Sequence, residues 1–181
     1  MSNRIEIRLS GAGGHGMILA GIILAEALGI YEGKNVAQTQ SYGPEARGGA
    51  SRSDVVVSDG EIDYPKAERL DILLALTQES YDKYFPILKK DGMLIIDSDY
   101  VQIEKGKTVD IKLVALPLSR VARESVGREL VTNIVSLAVL AEKSKLISRE
   151  SLEKAVLGRV PKGTEALNKK ALEAGCNIAK D

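Results

Sequence analysis

IEIRLSGAGGHGMILAGIILAEALGI, residues 5–30, decides how the rest of the chain is read. Ile5, Ile7 and Leu9 alternate with Glu6 and Arg8, the period of a strand. Gly11, Gly13 and Gly16 then fall on the G-x-G-x-x-G spacing, with Gly14 and His15 inside it. Residues 17–30 are apolar on nearly every face, as in a helix buried under other layers or in a larger assembly. Strand, glycine turn and helix in this order open an α/β domain. Glycines at such a turn allow positive φ and bring backbone N–H groups close to a ligand. The helix N-terminus behind them adds its dipole, so the place suits a phosphate or pyrophosphate. The competing reading is that the glycines only let helix and strand pack closely.

Working outward, residues 34–40 read as a second strand and residues 41–51, SYGPEARGGAS, as a long loop without periodicity. Asp54–Ser58 is a β-branched run, and Asp71–Leu76 has the continuous apolarity of a parallel strand covered on both faces. Thr77 reads as the cap of a helix over Gln78–Lys90, disturbed by Pro86. Asp91-Gly92 reads as a turn, and Met93–Ile96 and Ile111–Leu116 as further strands. Past Pro117 the pattern turns helical: Ser119–Ser125, Glu129–Lys143, a helix capped by Ser148, and Thr164–Ala174 stopped by Gly175. The expected fold is α/β, a Rossmann-like, mostly parallel sheet flanked by helices with a helical C-terminal section. It forms one domain over residues 1–181.

Composition excludes several functions. Lys+Arg and Asp+Glu both total 25 of 181 residues, so the basic excess of a free-standing nucleic-acid binder is missing. One His and one Cys make no disulfide framework, structural zinc site or iron–sulfur site. They also leave few arrangements for nucleophilic or general-base catalysis. The chain therefore works with carboxylates and lysines, or supplies part of a site completed elsewhere. No apolar run suits a leader or a bilayer span, which makes a cytoplasmic protein without a membrane partner the expectation.

A dinucleotide site is the obvious use of the glycine turn, but it wants an acid at the end of the second strand to hold the ribose. That strand ends Gln38-Thr39-Gln40, and Glu32 precedes it. Tyr42-Gly43-Pro44-Glu45-Ala46-Arg47-Gly48-Gly49 is the least ordinary segment. Arg47 offers a fork suited to phosphate or carboxylate, Gly48-Gly49 let the backbone form an anion-holding nest, and Ser51, Arg52 and Ser53 extend the polar edge. The alternative is an Ω-loop with Arg47 paired to a nearby acid. His15 reads either as a donor to phosphate or as a surface or interface residue.

Taken together, Gly11–Gly16, Tyr42-Gly43-Pro44-Glu45 with Arg47-Gly48-Gly49, and the β run into Ser58-Asp59 resemble the gamma subunit of 2-oxoacid:ferredoxin oxidoreductases. The equivalent in fused enzymes is the gamma-type domain of pyruvate:ferredoxin oxidoreductase. The likeness extends through Ile62, Pro65, Asp71–Leu76, Asn133, Val160-Pro161 and Asn168, and looks closest to the 2-oxoglutarate branch. It implies a subunit of an enzyme that decarboxylates a 2-oxoacid on thiamine diphosphate, passes the acyl unit to coenzyme A and sends electrons through iron–sulfur clusters to ferredoxin. Thiamine diphosphate, Mg and the clusters are expected in alpha and beta subunits, with a ferredoxin-like delta subunit as a further candidate. This chain lacks both a GDG thiamine pattern and cluster cysteines. Coenzyme A is implied at a shared site formed with Gly11, Gly13, Gly14, His15, Gly16, Arg47, Gly48 and Gly49. The family usually carries Gln at the position of His15, and only His can gain charge near neutral pH. The alternatives are a gamma subunit for pyruvate, branched-chain or indolepyruvate substrates, a stand-alone dinucleotide-binding reductase, or a non-catalytic nucleotide-sensing module. Asp97 and Asp99 read as turn caps rather than ligand contacts, Tyr81, Tyr84 and Phe85 as core or interface, and Cys176 as a spectator thiol.

Overall fold

The strands are β1 (Ile5–Ala12), β2 (Asn35–Ser41), β3 (Ala50–Ser58), β4 (Leu70–Ala75), β5 (Leu88–Asp97) and β6 (Lys112–Leu116). They lie side by side in a computed structural model, which describes residues 3–41, 50–104, 106 and 110–180, in the order β2-β3-β1-β4-β5-β6. β1, β4, β5 and β6 pair parallel, while β3 runs antiparallel to both β1 and β2. The sheet is therefore mixed, with β3 alone reversed. The described residues also form six α-helices, besides short 3₁₀ and π turns: α1 (Met17–Glu26), α2 (Gln78–Tyr84), α3 (Leu118–Val121), α4 (Thr132–Ser144), α5 (Arg149–Arg159) and α6 (Glu165–Ile178).

Alternation along the strands builds two cores. Ile7, Leu9, Val55, Ile72, Leu74 and Ile95 face one side, where α1 and α4–α6 cover them. Leu73, Ala75, Leu94 and Ile96 face the other, with Tyr81 and Tyr84 of α2. β4 is thus buried on both faces, as its unbroken apolarity predicts. Among the described residues no helix is long and apolar enough to cross a membrane.

Several boundaries differ from the sequence reading. β3 starts at Ala50 and β2 runs to Ser41, so strands claim both ends of the expected loop. Cross-strand partners explain this: Ser41 pairs with Arg52, and Gly11 pairs with Ser51. The helix over Gln78–Lys90 ends at Tyr84, because Pro86 forces a 3₁₀ turn over Phe85–Ile87 and β5 begins at Leu88. Asp91-Gly92 lies within β5, with Asp91 at φ 62°, where the pairing with β4 shifts register. Gly175 does not stop the last helix, which runs on to Ile178. Its role is close packing, since a Cβ there would lie 2.4 Å from the Val135 carbonyl oxygen of α4. The caps at Thr77 and Ser148 stand as expected: their side chains accept from Ser80 N and Ser151 N.

Candidate functional site

β1 delivers the glycine turn to the carboxyl end of the sheet, between α1 on one face and α2 on the other. α1 leads back to β2 on one side of β1, whereas α2 follows β4 toward β5 on the other. The crevice between β1 and β4 is therefore a topological switch point, where open α/β sheets bind ligands.

Within the turn, His15 N donates to Ala12 O at 3.1 Å, and Ala12 N donates to His15 Nδ1 at 3.2 Å. Because Nδ1 accepts, the neutral ring carries its proton on Nε2, the donor it can present outward. His15 also lines a cleft of about 160 Å³ with Ser119, Glu129, Leu130 and Thr132. The glycines serve distinct purposes. A Cβ on Gly11 would sit 2.8 Å from His15 Nδ1, and one on Gly16 would sit 2.5 Å from Asn133 Nδ2. Gly14 and Gly16 take φ of 91° and 69°, a region that favours glycine. Gly13 has open space around it.

Gly16 is the N-cap of α1 and makes no side-chain cap, and the first turn holds no acid. Among the described residues no side chain caps the first amide groups of that helix, and its own first turn brings no acid to its positive end. Hydroxyl groups brace the surroundings. Ser10 Oγ lies 3.1 Å from Ser51 O and 3.0 Å from Ser80 Oγ, and Ser51 Oγ donates to Ala12 O at 3.3 Å. The sequence reading missed Ser10 and Ser80 in this role. The signal for the first was a Ser directly before the glycine motif on a strand that ends at the site.

Arg47, Gly48 and Gly49 lie outside the described residues, as do residues 42–46. Their two anchors are described. Ser41 ends β2 and Ala50 opens β3, opposite Ala12 in the register of β1. The topology thus brings both ends of that segment to the sheet edge from which the glycine turn departs.

The other candidates resolve into structural roles. Asp97 is fully buried and accepts from Asp99 N at 3.1 Å and Ser119 N at 2.8 Å, while Asp99 pairs with Arg120. Tyr81 and Tyr84 are buried core. Cys176 is half-buried, and burial pushes its thiol up, away from the reactive thiolate. The strand beside β1 on the β2 side is antiparallel β3, so the parallel β1–β2 pair on which a dinucleotide fold places its ribose-binding acid is interrupted.

The family model for pyruvate ferredoxin/flavodoxin oxidoreductase matches residues 6–178. The chain is 49% identical to the 2-oxoglutarate synthase subunit KorC of Methanocaldococcus jannaschii, over 98% of this chain and 95% of that protein. Among solved structures, the gamma subunit of keto/oxoacid ferredoxin oxidoreductase from Geobacter sulfurreducens PCA superposes with a TM-score of 0.89 at 48% identity, covering 98% of this chain and 97% of that one. A 2-oxoglutarate:ferredoxin oxidoreductase from Magnetococcus marinus, with 2-oxoglutarate, coenzyme A and succinyl-CoA bound, shares the fold with a TM-score of 0.86 at 24% identity. There the match covers 98% of this chain and 31% of a longer polypeptide.

Proposed function

The chain belongs to the pyruvate ferredoxin/flavodoxin oxidoreductase family and is a gamma subunit of a 2-oxoacid:ferredoxin oxidoreductase; we propose that it serves the 2-oxoglutarate reaction as a single domain over residues 1–181, helping to hold coenzyme A. One observation carries this reading: the uncapped N-terminus of α1 and the Gly14–Gly16 turn stand at the carboxyl end of β1, and both anchors of the segment holding Arg47 end on that same side of the sheet. An anionic tail fits this turn, since left-handed glycines and uncapped amide groups favour phosphate oxygens and no acid in the first helical turn opposes them. Coenzyme A supplies the thiol that accepts the acyl group. This chain's part is to orient the tail, through turn amides, the His15 Nε2–H and the Arg47-Gly48-Gly49 segment.

Alpha and beta subunits, with a ferredoxin-like delta subunit where present, then carry thiamine diphosphate, Mg and the iron–sulfur clusters, and ferredoxin accepts the electrons in the cytoplasm. A single Cys in the whole chain supports placing the clusters elsewhere. The test uses the complex reconstituted from co-expressed subunits. Arg47→Ala is expected to raise the KM for coenzyme A by about tenfold, the loss of one charge-assisted hydrogen bond. kcat and the Tm of the free chain should be unchanged. An unaltered KM would remove Arg47 from the site.

A further inference from the structure

Asn133, Val160-Pro161 and Asn168, far apart in sequence and none of them part of the coenzyme A reading, converge on one groove. It holds about 260 Å³ beside the glycine turn, walled by Gly14, Gly16, Leu19, Leu130, Ile134 and Leu167 in addition to those residues. The polar side chains of this lining are engaged inside the chain. Asn133 donates to Gly16 O at 3.3 Å and accepts from Ile134 N at 2.9 Å. Asn168 donates to Thr164 O at 2.9 Å, and Thr164 Oγ1 donates to Pro161 O at 2.7 Å. A small polar ligand needs placed polar groups to fix its orientation. Here those groups turn toward bonds within the chain, and the rest of the lining is Leu, Ile, Val and Pro carbon with two glycines, which suits hydrocarbon. At its rim Leu130 is 74% exposed, although its neighbours Val131 and Ile134 are buried. An isolated exposed leucine means little, but one that extends an apolar groove marks a contact surface.

The fused relative indicates what fills it. In the Magnetococcus polypeptide this fold makes up 31% of the chain, so the remainder is tethered beside it. A tether supplies an effective concentration of about millimolar without further contacts. The KorC and Geobacter relatives are matched over 95% and 97% of their lengths, so there the domain is a separate polypeptide held by its surface alone. We propose that the groove seats an apolar side chain (Leu, Ile, Met or Phe) of the sister subunit that corresponds to the remainder of the longer polypeptide, with Leu130 packed into the contact. This rests on the subunit reading above and deepens it, because docking here sets the sister chain against Gly14 and Gly16 and closes the coenzyme site on assembly.

The test uses tagged chain and co-expressed sister subunits. Leu130→Glu is expected to weaken sister binding at least about tenfold while the free chain keeps its Tm, since the side chain is exposed. Leu130→Met should restore binding to within about twofold. In a Cys176→Ser background, Leu130→Cys should react with a maleimide at least about tenfold more slowly in the complex than free. Wild-type binding by Leu130→Glu, or equal maleimide rates, overturns the inference. So does a Leu130→Glu complex that assembles fully but shows a raised KM for coenzyme A, which would give the groove to the coenzyme. If the unaltered chain binds no sister subunit, the subunit reading itself fails, and this inference with it.

Discussion

A methyl group placed on Gly16 would lie 2.5 Å from Asn133 Nδ2 while its backbone held φ at 69°. Crowding and left-handed strain act together there, so Gly16→Ala should cost about 2–3 kcal/mol of folding free energy. Gly13 meets neither penalty, and Gly13→Ala in the free chain should stay within about 0.5 kcal/mol of wild type. Urea unfolding of the two variants separates the cases, and equal losses would contradict the turn geometry. The G-x-G-x-x-G pattern marked these positions without ranking them. The rank depends on Asn133, which is 117 residues away from Gly16; the sequence marks it as part of the family resemblance but not as a neighbour of the glycine turn.

At the scale of elements, the polar side of β1 is the part that alternation could not describe. Glu6 and Arg8 look like a solvated face, yet they are 7% and 3% exposed. Arg8 forms a two-pronged pair with Asp54, its direct register partner on β3, with both contacts at 2.7 Å. Burial pushes the Glu6 carboxyl up, but bonds from Arg4 and from the amides of Arg69 and Glu68 outweigh it and hold the carboxyl below its usual range. A strand pattern names the two faces but not which face is covered. Here the segment before β4, and Tyr84 beneath Arg8, do the covering. Asp54→Ala leaves a buried guanidinium unpaired and should cost about 3–5 kcal/mol, whereas Arg8→Met with Asp54→Leu should recover most of that loss. Chemical denaturation of the single and double variants checks this; equal losses would show that the pair is no isolated unit. On the helical layer, Arg149 beside Glu142 holds that carboxyl down at about 2, from an ordinary 4.5. A depressed carboxylate stabilises the fold above its unfolded pKa, and the contribution disappears as pH falls from about 4.5 toward 2. Glu142→Gln should therefore flatten the fall of Tm over that acid range. A variant with the wild-type slope would detach the pair from acid unfolding.

Across the whole molecule, the alternation of strands and helices was readable because apolar runs of strand length alternate with helical periods. The strand order was not. β3 enters between β1 and β2 by a hairpin, and nothing in a β-branched run says whether its partners lie parallel or reversed. That insertion matters for function. It breaks the geometry of a dinucleotide site, and it also brings the start of β3 and the end of β2 to the glycine turn. The site is consequently assembled from the ends of separate elements, and Gly13 separates its demands on folding from its demands on the ligand. Space around Gly13 is open within the chain, so Gly13→Val should leave the Tm of the free protein unchanged within about 2 °C. In the complex the same isopropyl group would block the approach to the backbone that the proposed hold on coenzyme A requires. The KM for coenzyme A should then rise by about tenfold or more. If steady-state kinetics show a complex containing Gly13→Val with an unchanged KM, the turn does not face the coenzyme, and the anion must be held by other parts of the assembly.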